Sequence, residues 1–152
     1  MTPRSIRTQV VLERVAWVRS MLDSLRNLPV HTTEEFAADE RNSAAAESFL
    51  RRALEGLLDL GRHILAKGFG EGVIEYKKIA DRLLAHRILS EEARTLLIQM
   101  AGYRNRLTHF YGDVTDEELR MICENELGDI EFVLEEILAW LRAHPELLDG
   151  SL

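Results

Sequence analysis

Between Gly102 and Tyr111 the chain reads Gly102-Tyr103-Arg104-Asn105-Arg106-Leu107-Thr108-His109-Phe110-Tyr111, which places two arginines, an asparagine, a histidine and a tyrosine near one helix terminus. An imidazole changes charge near neutral pH and can move a proton. A guanidinium is a permanently charged planar fork that matches phosphate oxygens. On an ideal helix Asn105 and His109 share a face at i,i+4, and Arg104 and Tyr111 nearly align two turns apart. A bend at the helix end brings all four around one cleft. The same spacing also permits a polar helix junction, with local hydrogen bonds at Asn105 and His109, Arg104 paired to a carboxylate of the second helix, and Tyr111 packed between helices. Periodicity alone does not separate a site from such a junction.

These residues need helices to hold them, and apolar periodicity supplies helices over most of the chain. Val11, Val15, Val18, Leu22 and Leu25 alternate at spacings of four and three, one apolar stripe ending near Pro29. Thr32 and Glu35 have capping-box spacing, so a second helix opens there. It continues through Leu50, Ala53, Leu57, Leu60 and Ile64, with a local break around Asn42-Ser43, until the glycines at 68, 70 and 72 stop it. A third helix from about Ile74 to His86 buries Ile79 and Leu83. Ser90 caps a fourth, with acidic Glu91 and Glu92 in its first turn, and this helix carries Leu96, Leu97, Met100, Tyr103 and Leu107 towards the segment above, where Gly112 supplies a stop. Thr115 and Glu118 form another capping box, opening a last helix that runs through Leu119, Ile122, Leu127, Ile130 and Ile137 to Leu141 and ends at Pro145. Nothing reads as a β-sheet or an internal repeat. The expectation is an all-α bundle of about five helices in a single domain over residues 1–145, with 146–152 as a frayed tail.

Bulk properties narrow the function classes. The length of 152 residues suits one domain, and 46% hydrophobic with 30% charged residues is the balance of a soluble globular protein. No apolar run approaches the length of a membrane span, and MTPRSIRTQV lacks the apolar core of a signal peptide, so a cytoplasmic location is expected. A net charge of -7 argues against coating nucleic acid non-specifically, which takes many Lys or Arg contacts to phosphate. A few arginines in one cleft still permit a local RNA site.

Other candidates read more simply. The stretch from Gly68 to Gly72 is not preceded by a strand or followed by a Lys-Ser/Thr pair, so it is a helix connection rather than a phosphate loop. Arg51 and Arg52 fit a solvated helix face as well as they fit added phosphate-binding charge, and stay outside the core site. Glu55 and Asp59 share a face and are expected to pair with the motif arginines or with water rather than with a metal. His31, His63, His86 and His144 are scattered and make no zinc signature. The lone Cys123 is a packing residue, and Trp17 and Trp140 pack helices. No metal or cofactor is expected.

The Arg104, His109 and Tyr111 spacing resembles the Arg-x4-His-x-Tyr motif of HepT-like proteins, a branch of the HEPN superfamily. Supporting matches are the Arg104-Asn105 pair, the stretch from Ala53 to Ile64 ending in Asp59-Leu60-Gly61-Arg62-His63-Ile64, the Tyr76 segment and the order of helices. One departure is Thr108, where the family pattern has an aliphatic residue. The resemblance implies a HEPN-like bundle and a metal-independent endoribonuclease. It implies a homodimer whose motif residues border one cleft, RNA rather than DNA as substrate, and a nucleotidyltransferase antitoxin as partner. It further implies that His109 moves a proton at the ribose 2′-hydroxyl or the leaving 5′-oxygen. In the same scheme Arg104 stabilises the charged phosphorane, and Asn105 and Tyr111 position imidazole and substrate. In such pairs the antitoxin can transfer AMP to the motif tyrosine, here Tyr111, adding bulk and negative charge to the cleft. The alternative from another class is a non-catalytic helical module that partners a nucleotidyltransferase. Catalysis predicts that Arg104 and His109 face solvent in a shared cleft, whereas the module allows either to be buried in a fixed pairing.

Overall fold

The apolar stripes converge on one long helix. In the computed structural model, which describes residues 6–109 and 113–152, the helices are α1 (Thr8–Arg26), α2 (Thr33–Ala37), α3 (Arg41–Phe69), α4 (Tyr76–Ala85), α5 (Glu91–His109), α6 (Asp116–Asn125) and α7 (Leu127–Ala143). Helix α3 packs against all six others. Its Leu50, Leu54, Leu57, Leu60 and Ile64 are buried with Val11, Val18 and Leu22 of α1, Leu97 of α5 and Val133 and Ile137 of α7 in one continuous core. Nearly every residue of the expected stripes is inside, which is why period-3.6 patterning located the helices. The all-α class and single domain hold.

Seven α-helices replace the expected five among the described residues, because two expected helices are each divided. The first division falls at 38–40, a little before Asn42-Ser43. The Asn42 amide donates to the Phe36 carbonyl at 3.1 Å and Asp39 accepts from the Arg41 N–H at 2.9 Å, so the turn satisfies both helix ends. The second falls at Glu126, whose backbone (φ -116°, ψ 2°) ends α6 and starts α7. Along the stripe, Ile122 to Leu127 is a step of five, which a continuous helix cannot keep on one face. Glu126 occupies the skipped position and accepts the Tyr103 hydroxyl at 3.3 Å.

Helix ends follow the side-chain signals. Thr32 accepts from the Glu35 N–H, Thr115 from the Glu118 N–H and Ser90 from the Ala93 N–H, each at 3.1 Å. Helix α3 ends on Gly70 at φ 68°, ψ 23°, where the Glu71 N–H reaches back to the Leu65 carbonyl at 3.0 Å; the left-handed conformation favours glycine there.

The C-terminal residues differ from the frayed tail expected of them. Pro145–Leu147 form a 3-10 turn, and Leu148 makes an isolated parallel bridge with Ile6. Asp149 accepts the Thr8 N–H at 2.9 Å, and the Thr8 hydroxyl donates to the Gly150 carbonyl at 2.8 Å, so the tail satisfies the start of α1. Ile6 is fully buried against α3, where a Cβ at Gly68 would meet its Cδ1 at 2.8 Å.

Candidate functional site

A face of α3 carries two carboxylates flanked by two arginines at helical spacing: Arg51, Glu55, Asp59 and Arg62. Helices α4 and α5 close over it. The approach of α4 depends on Gly61, since a Cβ there would stand 2.9 Å from Ile79 Cγ2 and 3.0 Å from Leu83 Cδ1. Arg62 then fastens the connection leading into α4: its Nε donates to the Val73 carbonyl at 3.1 Å, Nη2 to the Ile74 carbonyl at 2.8 Å, and Nη1 to Asp59 at 3.2 Å. Tyr76, the first residue of α4, donates its hydroxyl to Asp59 at 3.3 Å. Burial first, and the Asp59 charge second, push the Tyr76 phenol above its ordinary pKa and keep it a neutral donor.

Arg104 reaches this cluster from α5. Its Nη2 donates to Glu55 at 3.2 Å and Nη1 to the Asn105 side-chain oxygen at 3.3 Å. Its guanidinium carbon lies 4.7 Å from the Tyr76 ring centre, and that of Arg62 lies 4.8 Å from it. Both are cation–π distances. Glu55 is shared, since its other oxygen accepts from Arg51 at 2.9 Å. The Arg104 side chain is only 20% exposed, and its Nε is buried without a hydrogen-bond partner. Arg62, Ile74, Glu75, Tyr76, Lys77, Arg104 and Asn105 line an open cleft of about 430 Å³.

Of the four residues singled out from the sequence, the cleft unites Arg104 and Asn105. His109 is exposed at the last position of α5. Tyr111 lies outside the described residues, as does the expected glycine stop at Gly112. Arg106, one residue beyond Asn105, faces elsewhere: it makes a bidentate pair with Glu118 at 2.6 and 2.7 Å and a further bond to Asp113 at 3.1 Å. It ties the end of α5 to the start of α6, and these carboxylates raise its pKa further. The Glu118 carboxylate is therefore engaged by an arginine of α5. The two motif arginines thus have different work, which their spacing alone did not disclose.

Sequence reasoning assigned no site role to Arg62, Tyr76 or Lys77. The first two lay within stretches already noted, but their convergence on Arg104 depends on how α4 folds back over α3. The remaining candidates stand apart from the cleft. Burial pushes the Cys123 thiol up to about 12, fitting a packing residue rather than a nucleophile. Each other histidine has its own local partner: Glu124 for His31, the Arg7 N–H for His63, Glu71 for His86 and the Trp140 carbonyl for His144. Trp17 packs α1 on α3 as expected, lying over Gly56 while 42% exposed, with its indole N–H donating to the Arg52 carbonyl at 3.3 Å. No group of three or more His, Cys, Asp or Glu side chains among the described residues is placed to hold a metal.

Glu71 clasps the same connection from its other side. Hydrogen bonding to Arg82 foremost, and to His86 next, holds its carboxyl down at about 2 against an ordinary 4.5. A folded-state pKa below the unfolded one means the clasp contributes fully above about pH 4.5 and loses its contribution as pH falls towards 2. Urea midpoints are expected to fall between about pH 5 and about pH 3. Glu71→Gln is expected to flatten that slope, and an unchanged slope would contradict the clasp.

Comparison with known proteins gives a consistent picture. Residues 18–137 match the family described as "Ribonuclease HepT-like". A curated relative, the "tRNA nuclease HepT" of Aphanizomenon flos-aquae, is 21% identical over 138 residues, covering 90% of this chain and 93% of that one. Among solved structures, the tri-AMPylated Shewanella oneidensis HEPN toxin, in complex with MNT antitoxin, is similar with a TM-score of 0.77 and 17% identity, covering 86% of this chain and 97% of the other. YutE of Bacillus subtilis, a cytosolic protein of unknown function, is similar with a TM-score of 0.73 and 17% identity, covering 88% and 90%.

Proposed function

The chain belongs to the HepT-like ribonuclease family, and from that premise we propose that it is the toxin of a HepT-type pair, a metal-independent endoribonuclease acting as a homodimer. The observation that carries the reading is the placement of Arg104. In a chain of net charge -7, it stands beside Asn105 in an open cleft with Arg62 and Lys77. Glu55 and Asp59 engage two of these cations from below, but the lining itself carries three cations against Glu75 alone, which fits an anionic strand better than the average surface charge does.

In this reading the ribose 2′-oxygen attacks the adjacent phosphorus and the 5′-oxygen leaves, giving a 2′,3′-cyclic phosphate and a 5′-hydroxyl. His109 of one copy takes the 2′-hydroxyl proton while the same imidazole of the second copy protonates the 5′-oxygen, which is why a dimer is needed. Arg104 opposes the charge that builds on the phosphorane oxygens. Asn105 engages the guanidinium by accepting from it, and Tyr111 positions the substrate.

The partner is a nucleotidyltransferase antitoxin. The Tyr111 hydroxyl attacks the α-phosphorus of ATP, pyrophosphate leaves, and the adenylyl group then blocks the cleft with bulk and charge. One observation favours the non-catalytic module instead: Arg104 is mostly covered and already paired with Glu55. Against it stands the exposure of His109, together with the sharing of Glu55 with Arg51, which leaves that carboxylate a partner when Arg104 turns to phosphate.

The test compares RNA cleavage by the purified chain before and after incubation with the nucleotidyltransferase and ATP. Cleavage that disappears as Tyr111 gains one adenylyl mass is the expected result. Tyr111 remaining at its unmodified mass would contradict the regulatory step, and RNA left intact by the unmodified chain would contradict the ribonuclease.

A further inference from the structure

The cleft beside Arg104 contains two features that the chemistry above does not use. Lys77 is exposed and forms no ion pair among the described residues, whereas its neighbour Lys78 is engaged by Glu75 at 3.4 Å. Ile74, on the wall of the same cleft, is 85% exposed, by far the most exposed large apolar side chain of the molecule's described part. Its backbone is fixed, because Arg62 holds its carbonyl at 2.8 Å and that of Val73 at 3.1 Å. The apolar group is thus presented to water from an anchored position, against the hydrophobic effect.

Three of the five N–H groups of Arg62 are already bonded, to two carbonyls and Asp59, which fixes its guanidinium in the wall. Lys77 can take a phosphate with all three of its N–H groups. Arg104 and Asn105 line the same cleft, and its volume of about 430 Å³ suits one nucleotide unit.

Resting on the ribonuclease reading, we propose that Lys77 and Ile74 form a subsite for one nucleotide of single-stranded RNA flanking the scissile bond. Lys77 holds the backbone phosphate, and the nucleobase or ribose lies against Ile74. Unpaired RNA is the occupant because its bases are free to splay onto a side chain, whereas those of a duplex are stacked. The subsite reads no base edge, so it adds affinity and register rather than sequence preference.

The experiment uses a fluorescent single-stranded RNA whose 2′-oxygens are methylated, which the unmodified full chain can bind but not cleave. Binding is titrated at several salt concentrations. Lys77→Ala is expected to weaken binding several-fold and to reduce the slope of log affinity against log salt by about 0.7, one phosphate contact on a single strand. Ile74→Ser is expected to weaken binding with the slope unchanged, while Lys78→Ala binds like the parent. Both Lys77 and Ile74 are exposed, and matched thermal midpoints show that the fold is intact. Parent-like binding by both Lys77→Ala and Ile74→Ser overturns the subsite and leaves the ribonuclease standing. A parent that neither binds this strand nor cleaves ordinary RNA overturns both.

Discussion

Replacing Arg104 with alanine is expected to slow RNA cleavage by about 10²–10³-fold, the effect of removing one preorganised charge from a developing oxyanion. The loss should appear in the single-turnover rate at saturating RNA rather than in the binding constant, because the phosphorane carries more charge than the substrate phosphate. Arg104→Lys should recover little. An ammonium cannot reproduce the planar fork that reaches Glu55 and Asn105 together, nor its stacking near Tyr76. The fold should survive, since Glu55 keeps Arg51 as a partner. Equal thermal midpoints with a hundredfold rate loss support the catalytic assignment; a loss of midpoint matching the loss of rate would make Arg104 a structural residue.

Gly61→Val is expected to destabilise the protein by about 1–3 kcal/mol, the usual cost of overpacking a filled interior. Even the first added carbon stands 2.9 Å from Ile79 Cγ2, and Leu83 closes the other side. The Leu83 methyl can give by rotating, but the branched Ile79 side chain on its helix has little freedom, so the larger part of the relief is movement of α4 away from α3. That movement pulls Tyr76 from Asp59 and the Val73 and Ile74 carbonyls from Arg62, so cleavage should fall along with stability. Urea denaturation measures the first effect and the cleavage rate of the remaining folded fraction the second. A valine variant of parental stability would show that α4 has room to spare, contrary to the packing described.

The contrast between these two positions shows what a single sequence discloses. The stripe from Leu50 to Ile64 declares a helix because its spacing is local, and the three caps at Thr32, Ser90 and Thr115 declare starts because each bond spans three residues. Even the break at Glu126 is written in the five-residue step from Ile122 to Leu127, although the stripe invites reading it as one helix. The pairing of Arg104 is different in kind. A carboxylate on the second helix was one expected outcome, and Glu55 a candidate, but the bond joins residues 49 apart and needs α3 and α5 side by side. Likewise, nothing local separates Arg104 from Arg106 until α6 folds back and presents Glu118. The tail read as frayed because Pro145 ends a helix and the few residues after it show no periodic pattern. Its anchor, the open start of α1, lies 141 residues away from Asp149.

The central claim is that Arg104 and His109 do the chemistry of RNA cleavage without a metal. It is tested most directly by mixed-sequence RNA in excess chelator, with the parent chain, Arg104→Ala and His109→Ala side by side at matched folding. The account predicts cleavage by the parent, with 2′,3′-cyclic phosphate ends, and a loss of about 10²–10⁴-fold for His109→Ala. Cleavage by His109→Ala at the parental rate, or by the parent only when metal is restored, would contradict it.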